Sequence, residues 1–208
     1  MSEAYGSNAT IIARVGADPE TFGFESDTDL EDFLDTLRQQ ASSEIVEFCD
    51  RVFSLQTGET EIIHGTGRKT FQTRNYPVRD IQSIEIRGAE LDSDHYQIQT
   101  PPGRPDTNSG LIERIGSRHR RRWPRGNEIE VVYDWGYEEP PSVVERVVED
   151  MVVEALEKAD ADRQSSAKSS ESMDGYSVSW DNSDVSDYLT LDESKRNRLK
   201  PLKRMGMA

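Results

Sequence analysis

The densest run of chemically capable side chains is Ser117-Arg118-His119-Arg120-Arg121-Arg122-Trp123-Pro124-Arg125, five arginines and one tryptophan within nine positions. Guanidinium forks spaced this closely can grip phosphate oxygens in pairs or seat on the carboxylates of an acidic protein surface. The same run also reads as a solvated tip between two strands whose arginines balance local carboxylates, with Trp123-Pro124 as a packing anchor. A second basic group closes the chain. Lys195, Arg196, Arg198, Lys200, Lys203 and Arg204 have no acid after them, so residues 1–194 hold 19 Lys+Arg against 40 Asp+Glu, or −21.

Other chemistry is sparse. His64, His95 and His119 fall in different segments, and none has a His or Cys two, three or four positions away, the spacings that let one element offer two ligands to a metal. Cys49, the single cysteine, sits among Ile45, Val46 and Phe48 as a small core residue, with no intrachain disulfide partner. There is no Gly-x-Ser-x-Gly elbow for a nucleophile. Gly65-Thr66-Gly67-Arg68-Lys69 looks like part of a phosphate loop, but strands are expected on both sides and a phosphate cradle needs a helix N-terminus behind it, so it reads as a hairpin turn. The expectation is a protein with no catalytic residues, no metal and no cofactor.

The chain has 208 residues and a formal charge of −15. That excess of acid argues against general duplex-DNA binding, which depends on Lys and Arg displacing counterions, and favours protein partners. Spread along the chain and poor in lysine, it points to a high-salt cytoplasm, where screening removes self-repulsion; an ordinary acidic protein is the plainer alternative. No apolar run reaches the roughly 18 residues of a membrane span, and the N-terminus lacks signal-peptide order, so a soluble, unsecreted protein is expected.

The elements that must position these residues follow from periodicity. Residues 1–27 keep no period and read as an arm, ordered only by its neighbours. Leu30, Phe33, Leu34, Leu37, Ala41, Ile45, Phe48 and Val52 recur at helical spacing, giving a helix over 28–55 with Asp27, Thr28 or Asp29 as its cap. Between 60 and 137 short strands are expected at Glu61–His64, Thr70–Thr73, Ile81–Arg87, Tyr96–Gln99, Gly110–Arg114 and Ile129–Asp134, with a hairpin at Gly88. Pro140-Pro141 opens a second helix over 140–160, broadly apolar from Val143 to Leu156. Residues 161–175 read as a polar linker. Beyond it come a short strand, Tyr176–Trp180, and a short helix marked by Leu189, Leu191, Leu199 and Leu202. The class is α+β: long helices packed with a small antiparallel insert, the core spanning 28–160, with arms at both ends.

That order resembles the head-to-tail connector, or adaptor, proteins of tailed double-stranded DNA viruses. The match is strongest from Trp123 to Tyr137, a strand ending in Trp135-Gly136-Tyr137, running into Pro140-Pro141-Ser142-Val143-Val144. Tyr76–Ile84 is similar to the family's proline-led strand, and Glu171–Trp180 to its segment after the long helix. The resemblance covers roughly residues 28–204. It implies a structural virion protein in a closed ring of copies, commonly about twelve. The ring sits in the neck between the portal protein and a tail or stopper protein, and the viral duplex passes through its lumen without sequence-specific binding.

The resemblance further implies that segment 176–208 reaches the portal, through Tyr176, Val178, Trp180, Leu189, Leu191, Leu199, Lys200, Leu202, Lys203 and Arg204. Removing 195–208 is then expected to weaken portal docking and leave the core folded. Arg118, Arg120, Arg121, Arg122 and Arg125 would face the DNA channel, the tail-side ring or an adjacent subunit. With the acid excess, the source is read as a haloarchaeal tailed virus, the protein lying in the host cytoplasm during assembly and never in a membrane. A tail-completion or stopper protein is one alternative, and a nucleic-acid-binding regulator using Arg118–Arg125 another, although no helix-turn-helix signature supports the latter.

Overall fold

A computed structural model describes residues 4–16, 19, 24–101, 108–116, 122–169 and 185–204, with the side chains of 163–169 left aside. The chain adopts the α+β class and divides into two compact units, one of residues 1–51 with 140–208 and the other of residues 52–139.

The first unit is helical: α1 (Asn8–Val15), α2 (Asp27–Cys49), α3 (Ser142–Ser169) and α4 (Glu193–Leu199), the last followed by a 3-10 turn at Lys200–Leu202. Its centre is α3, where Val144, Val147, Val148, Met151, Val152, Val153, Ala155 and Leu156 are buried. A stripe this broad needs several neighbours, and α1, α2 and α4 all pack on it. The cap of α2 is Ser26, one residue before the expected set: its Oγ accepts from the Asp29 N–H at 3.3 Å. Asp27 and Asp29 instead fill the first turn, where carboxylates complement the helix dipole. Asp50 takes a left-handed conformation (φ 52°) and its N–H bonds back to Glu47 and Val46, so α2 stops there and not near 55.

Two further expectations are corrected. The N-terminal arm holds a helix, α1, whose Ile11 is fully buried. Arg38 fixes the segment before it, donating through Nε to Tyr5 O (3.1 Å), through Nη2 to Ala4 O (3.1 Å) and Gly6 O (2.5 Å), and through Nη1 to Asn8 Oδ1 (3.1 Å). The Tyr5 N–H adds a bond to Ser42 Oγ at 2.9 Å. Periodicity could not reveal these bonds, because they come from one polar residue 30 or more positions away. The expected linker is in part helix, since α3 runs on to Ser169; the stretch 161–169 includes Ala, Arg, Gln and Lys, all good helix formers.

The second unit contains every strand of the described residues. β1 (Gln56–His64), β7 (Glu128–Trp135), β3 (Val78–Ile86) and β4 (Ala89–Glu90) form one antiparallel sheet in that order, and β2 (Thr70–Gln72), β6 (Leu111–Arg114) and β5 (Tyr96–Ile98) form a second. All six strands expected between 60 and 137 are present, distributed over two sheets; the one expected at Tyr176–Trp180 lies outside the described residues. The two sheets share a core of Phe71, Val78, Ile84, Ile112, Trp123, Ile129, Val131, Tyr133 and Trp135. The hairpin at Gly88 is a two-residue turn, Arg87-Gly88, with both φ values positive (55° and 75°), the geometry that matches strand twist. Residues 65–69 are not a hairpin turn, because β1 and β2 do not pair: the segment carries the chain from one sheet to the other.

Candidate functional site

The crossing at 65–69 builds a basic cluster. Its backbone is stitched to residues 122–128: the Gly65 N–H donates to Asn127 O (2.8 Å), the Gly126 N–H to Gly65 O (2.6 Å), and the Trp123 N–H to Arg68 O (2.8 Å). Arg87 joins from the β3–β4 turn, its N–H on Glu128 O (3.3 Å) and its Nη2 on Asn127 Oδ1 (2.6 Å). Arg122 Nη1 donates to Gly67 O at 3.2 Å. The approach is so close that a Cβ on Gly65 would lie 2.0 Å from Pro124 O, which is why this position is glycine.

Beneath the cluster lies the anchor. Trp123 is fully buried, meets Phe71 edge-on at 4.6 Å between ring centroids, donates its indole N–H to Ile112 O (3.3 Å), and carries the Arg114 guanidinium 5.3 Å above its ring. Arg68, Lys69, Arg87, Arg122 and Arg125 are exposed around it. Lys69 is paired with Glu113, whereas Arg68, Arg87, Arg122 and Arg125 form no ion pair with a carboxylate of the described residues. Of the arginines singled out by sequence, Arg122 and Arg125 belong to this cluster; Arg118, Arg120 and Arg121 lie outside the described residues. Arg68 and Arg87 were missed because they are 54 and 35 positions from Arg122 and meet it only through the strand pairing.

The C-terminal candidates divide differently. Tyr176, Val178 and Trp180 lie outside the described residues. Leu189, Leu191 and Leu199 are buried in the helical unit, Leu202 and Arg204 are half-buried, and Lys200 and Lys203 are exposed. The three buried leucines therefore cover the chain's own helices, and the segment presents Arg196, Lys200, Leu202, Lys203 and Arg204. Ion pairs hold it in place. Lys195, 3% exposed, donates from Nζ to both Glu154 and Asp192 at 2.7 Å. Burial disfavours charge on Lys195, but bonds to Asp192 and Glu154 outweigh it and raise the pKa. Asp150 bridges Arg14 of α1 (2.9 Å) and Arg198 of α4 (2.6 Å). Burial works against the Asp150 carboxylate, yet Arg198 and Arg14 together hold its pKa below the ordinary value. Arg196 and Lys203 also lie over the Phe48 ring, at 5.9 and 4.8 Å.

The remaining reactive types act as fasteners. Burial pushes the Cys49 thiol up to about 11, so it stays protonated. The Tyr133 hydroxyl donates to Glu61 (2.9 Å), whose carboxylate also takes the Arg74 N–H (2.8 Å); burial and the Glu61 charge raise the phenol's pKa. Asn108 spans Val78, accepting from its N–H and donating to its carbonyl, both at 2.8 Å. Among the described residues no three His, Cys, Asp or Glu converge as a metal site, and no helix is long and apolar enough to cross a membrane. No protein-family profile matches this chain, and no curated protein matches its sequence.

Proposed function

We propose that this protein is a structural ring component of the neck of a tailed virus, a head-to-tail connector that joins the portal to the tail and lets the genome pass. The observation that carries the reading is the run from Trp123 to Val144. In the sequence it resembles the connector family, and in the fold it comprises the Trp123 anchor, β7, Gly136 and the first turn of α3. Two long helices interrupted by a strand unit, with a basic C-terminal segment, agree with what that resemblance implies. On this reading the exposed cations of the C-terminal segment, Arg196, Lys200 and Lys203, face the portal, and the buried leucines hold the segment to its own subunit. The activity is assembly and conduction, with no bond made or broken.

One observation favours a second reading. Four arginines without carboxylate partners in an acid-rich chain suit a phosphate backbone, as a nucleic-acid-binding protein requires. The discriminating experiment is the mass of the purified chain in high salt, alone and mixed with the portal ring of the same virus. A ring-sized complex, alone or on the portal, supports the connector. A persistent monomer that ignores the portal and shifts with short duplex DNA supports the second reading.

A further inference from the structure

We infer that the arginine cluster of the strand unit, Arg68, Arg87, Arg122 and Arg125, is the docking surface for the acidic helical unit of a second copy of this chain. The inference rests on the ring reading, in that copies must associate, and it names the contact between them. The first observation is local. In a chain with 40 Asp+Glu against 25 Lys+Arg, carboxylates are abundant, yet these four guanidiniums pair with none among the described residues. Three separate turns are bonded together to bring them to one end, so the grouping is built into the backbone.

The second observation is the distribution of charge. By sequence the strand unit carries 14 acids against 12 bases, or −2, while the helical unit carries 26 against 13, or −13. Within that unit α2 has seven acids and one arginine, Arg38, which is engaged with the N-terminal segment and Asp35. Glu31 and Asp32 on α2 are exposed and make no ion pair among the described residues. Planar guanidinium forks match carboxylates at short range, where salt screens least. Three residues before Gly65, on β1, Ile62 is 57% exposed, the most exposed large apolar side chain described, and supplies apolar area that such a contact could bury.

Nucleic acid is the weaker occupant on the same physics. At low salt the net charge of −15 repels a polyanion, and at high salt phosphate contacts lose affinity steeply because counterion release then gains little. Carboxylate contacts on a packed protein face lose less.

The test is a charge swap in the full chain, read by mass photometry and sedimentation in high salt, with circular dichroism to confirm folding. Arg122→Glu with Arg125→Glu should weaken self-association at least about tenfold, the effect of roughly 1.4 kcal/mol. Glu31→Arg with Asp32→Arg should do the same, and mixing the two variants should restore assembly. The neutral pair Arg122→Gln with Arg125→Gln, which keeps side-chain length and adds no repulsion, should fall between. Rings that form unchanged with every variant overturn this contact and leave the connector reading standing. Reversed variants that lose binding to a short DNA duplex, keep self-association and show no rescue on mixing overturn it in favour of phosphate. A wild-type chain that stays monomeric at every concentration, alone and mixed with the portal ring, overturns both.

Discussion

Trp123 is the largest fully buried side chain among the described residues, and it supports a cluster of four arginines that have no carboxylate partner there. Trp123→Ala should cost about 3–5 kcal/mol, read as a lower urea midpoint, because a large cavity opens between Phe71 and Arg114. Gly65→Ala should cost about 1–3 kcal/mol by overpacking against Pro124 O, and should disturb the arginine cluster more than the helical unit; chemical shifts would report this. Glu113 gives the acid dependence its sign. Bonds from Lys69, Gln99 and Gln97 hold its pKa at about 2, while an unfolded glutamate titrates near about 4.3. Because the folded value is the lower, this carboxylate contributes stability above about pH 4 that is lost as pH falls through about 2. Glu113→Gln should therefore flatten the acid-unfolding curve in that window. At this scale the sequence was legible where one residue announces itself, as with Trp123-Pro124 and Cys49. It was silent where a role depends on a distant partner: Arg68 and Arg87 reach the cluster, and Asn108 reaches Val78, through pairings that only the folded sheets create.

The elements repeat that division. Strands β1 to β3 and β5 to β7, both long helices and the C-terminal helix follow from local period and turn residues. The helix α1, the extension of α3 beyond residue 160, and the segregation of strands into two sheets do not, because Arg38, helix propensity without an apolar stripe, and the 65–69 crossing decide them. Arg38→Met should release the N-terminal segment at a cost of about 1.5–3 kcal/mol, seen as faster tryptic cleavage after Arg14. The C-terminal helix has changed its meaning. Sequence alone made residues 195–208 a detachable docking tail, but Leu199 is buried and Lys195 pairs with both Glu154 and Asp192. Deleting 195–208 should therefore destabilise the helical unit by about 3–5 kcal/mol, measured by thermal unfolding, before any partner is considered.

At the scale of the whole molecule, charge dominates. With −13 carried by the helical unit, self-repulsion in the folded state should be strong in dilute buffer and screened in molar salt, so the thermal midpoint of that unit should rise by several degrees as salt is added. A midpoint independent of salt would show that the acids are already balanced in place. The proposed function was legible only as an order of motifs, since a connector would rest on surfaces completed by other chains. The place where the strand unit leaves and re-enters the helices has a consequence of its own. Ser54 and Tyr137 form a parallel bridge, and Gly136 lies so close to Ser54 O that a Cβ would sit 2.1 Å from it. The 88 residues of that unit thus begin and end at a single point, the arrangement of a cassette. Such a cassette can be cut out and replaced by a short turn, or exchanged for another of the same footprint, so its contacts can diversify while the helical host keeps its own sequence constraints.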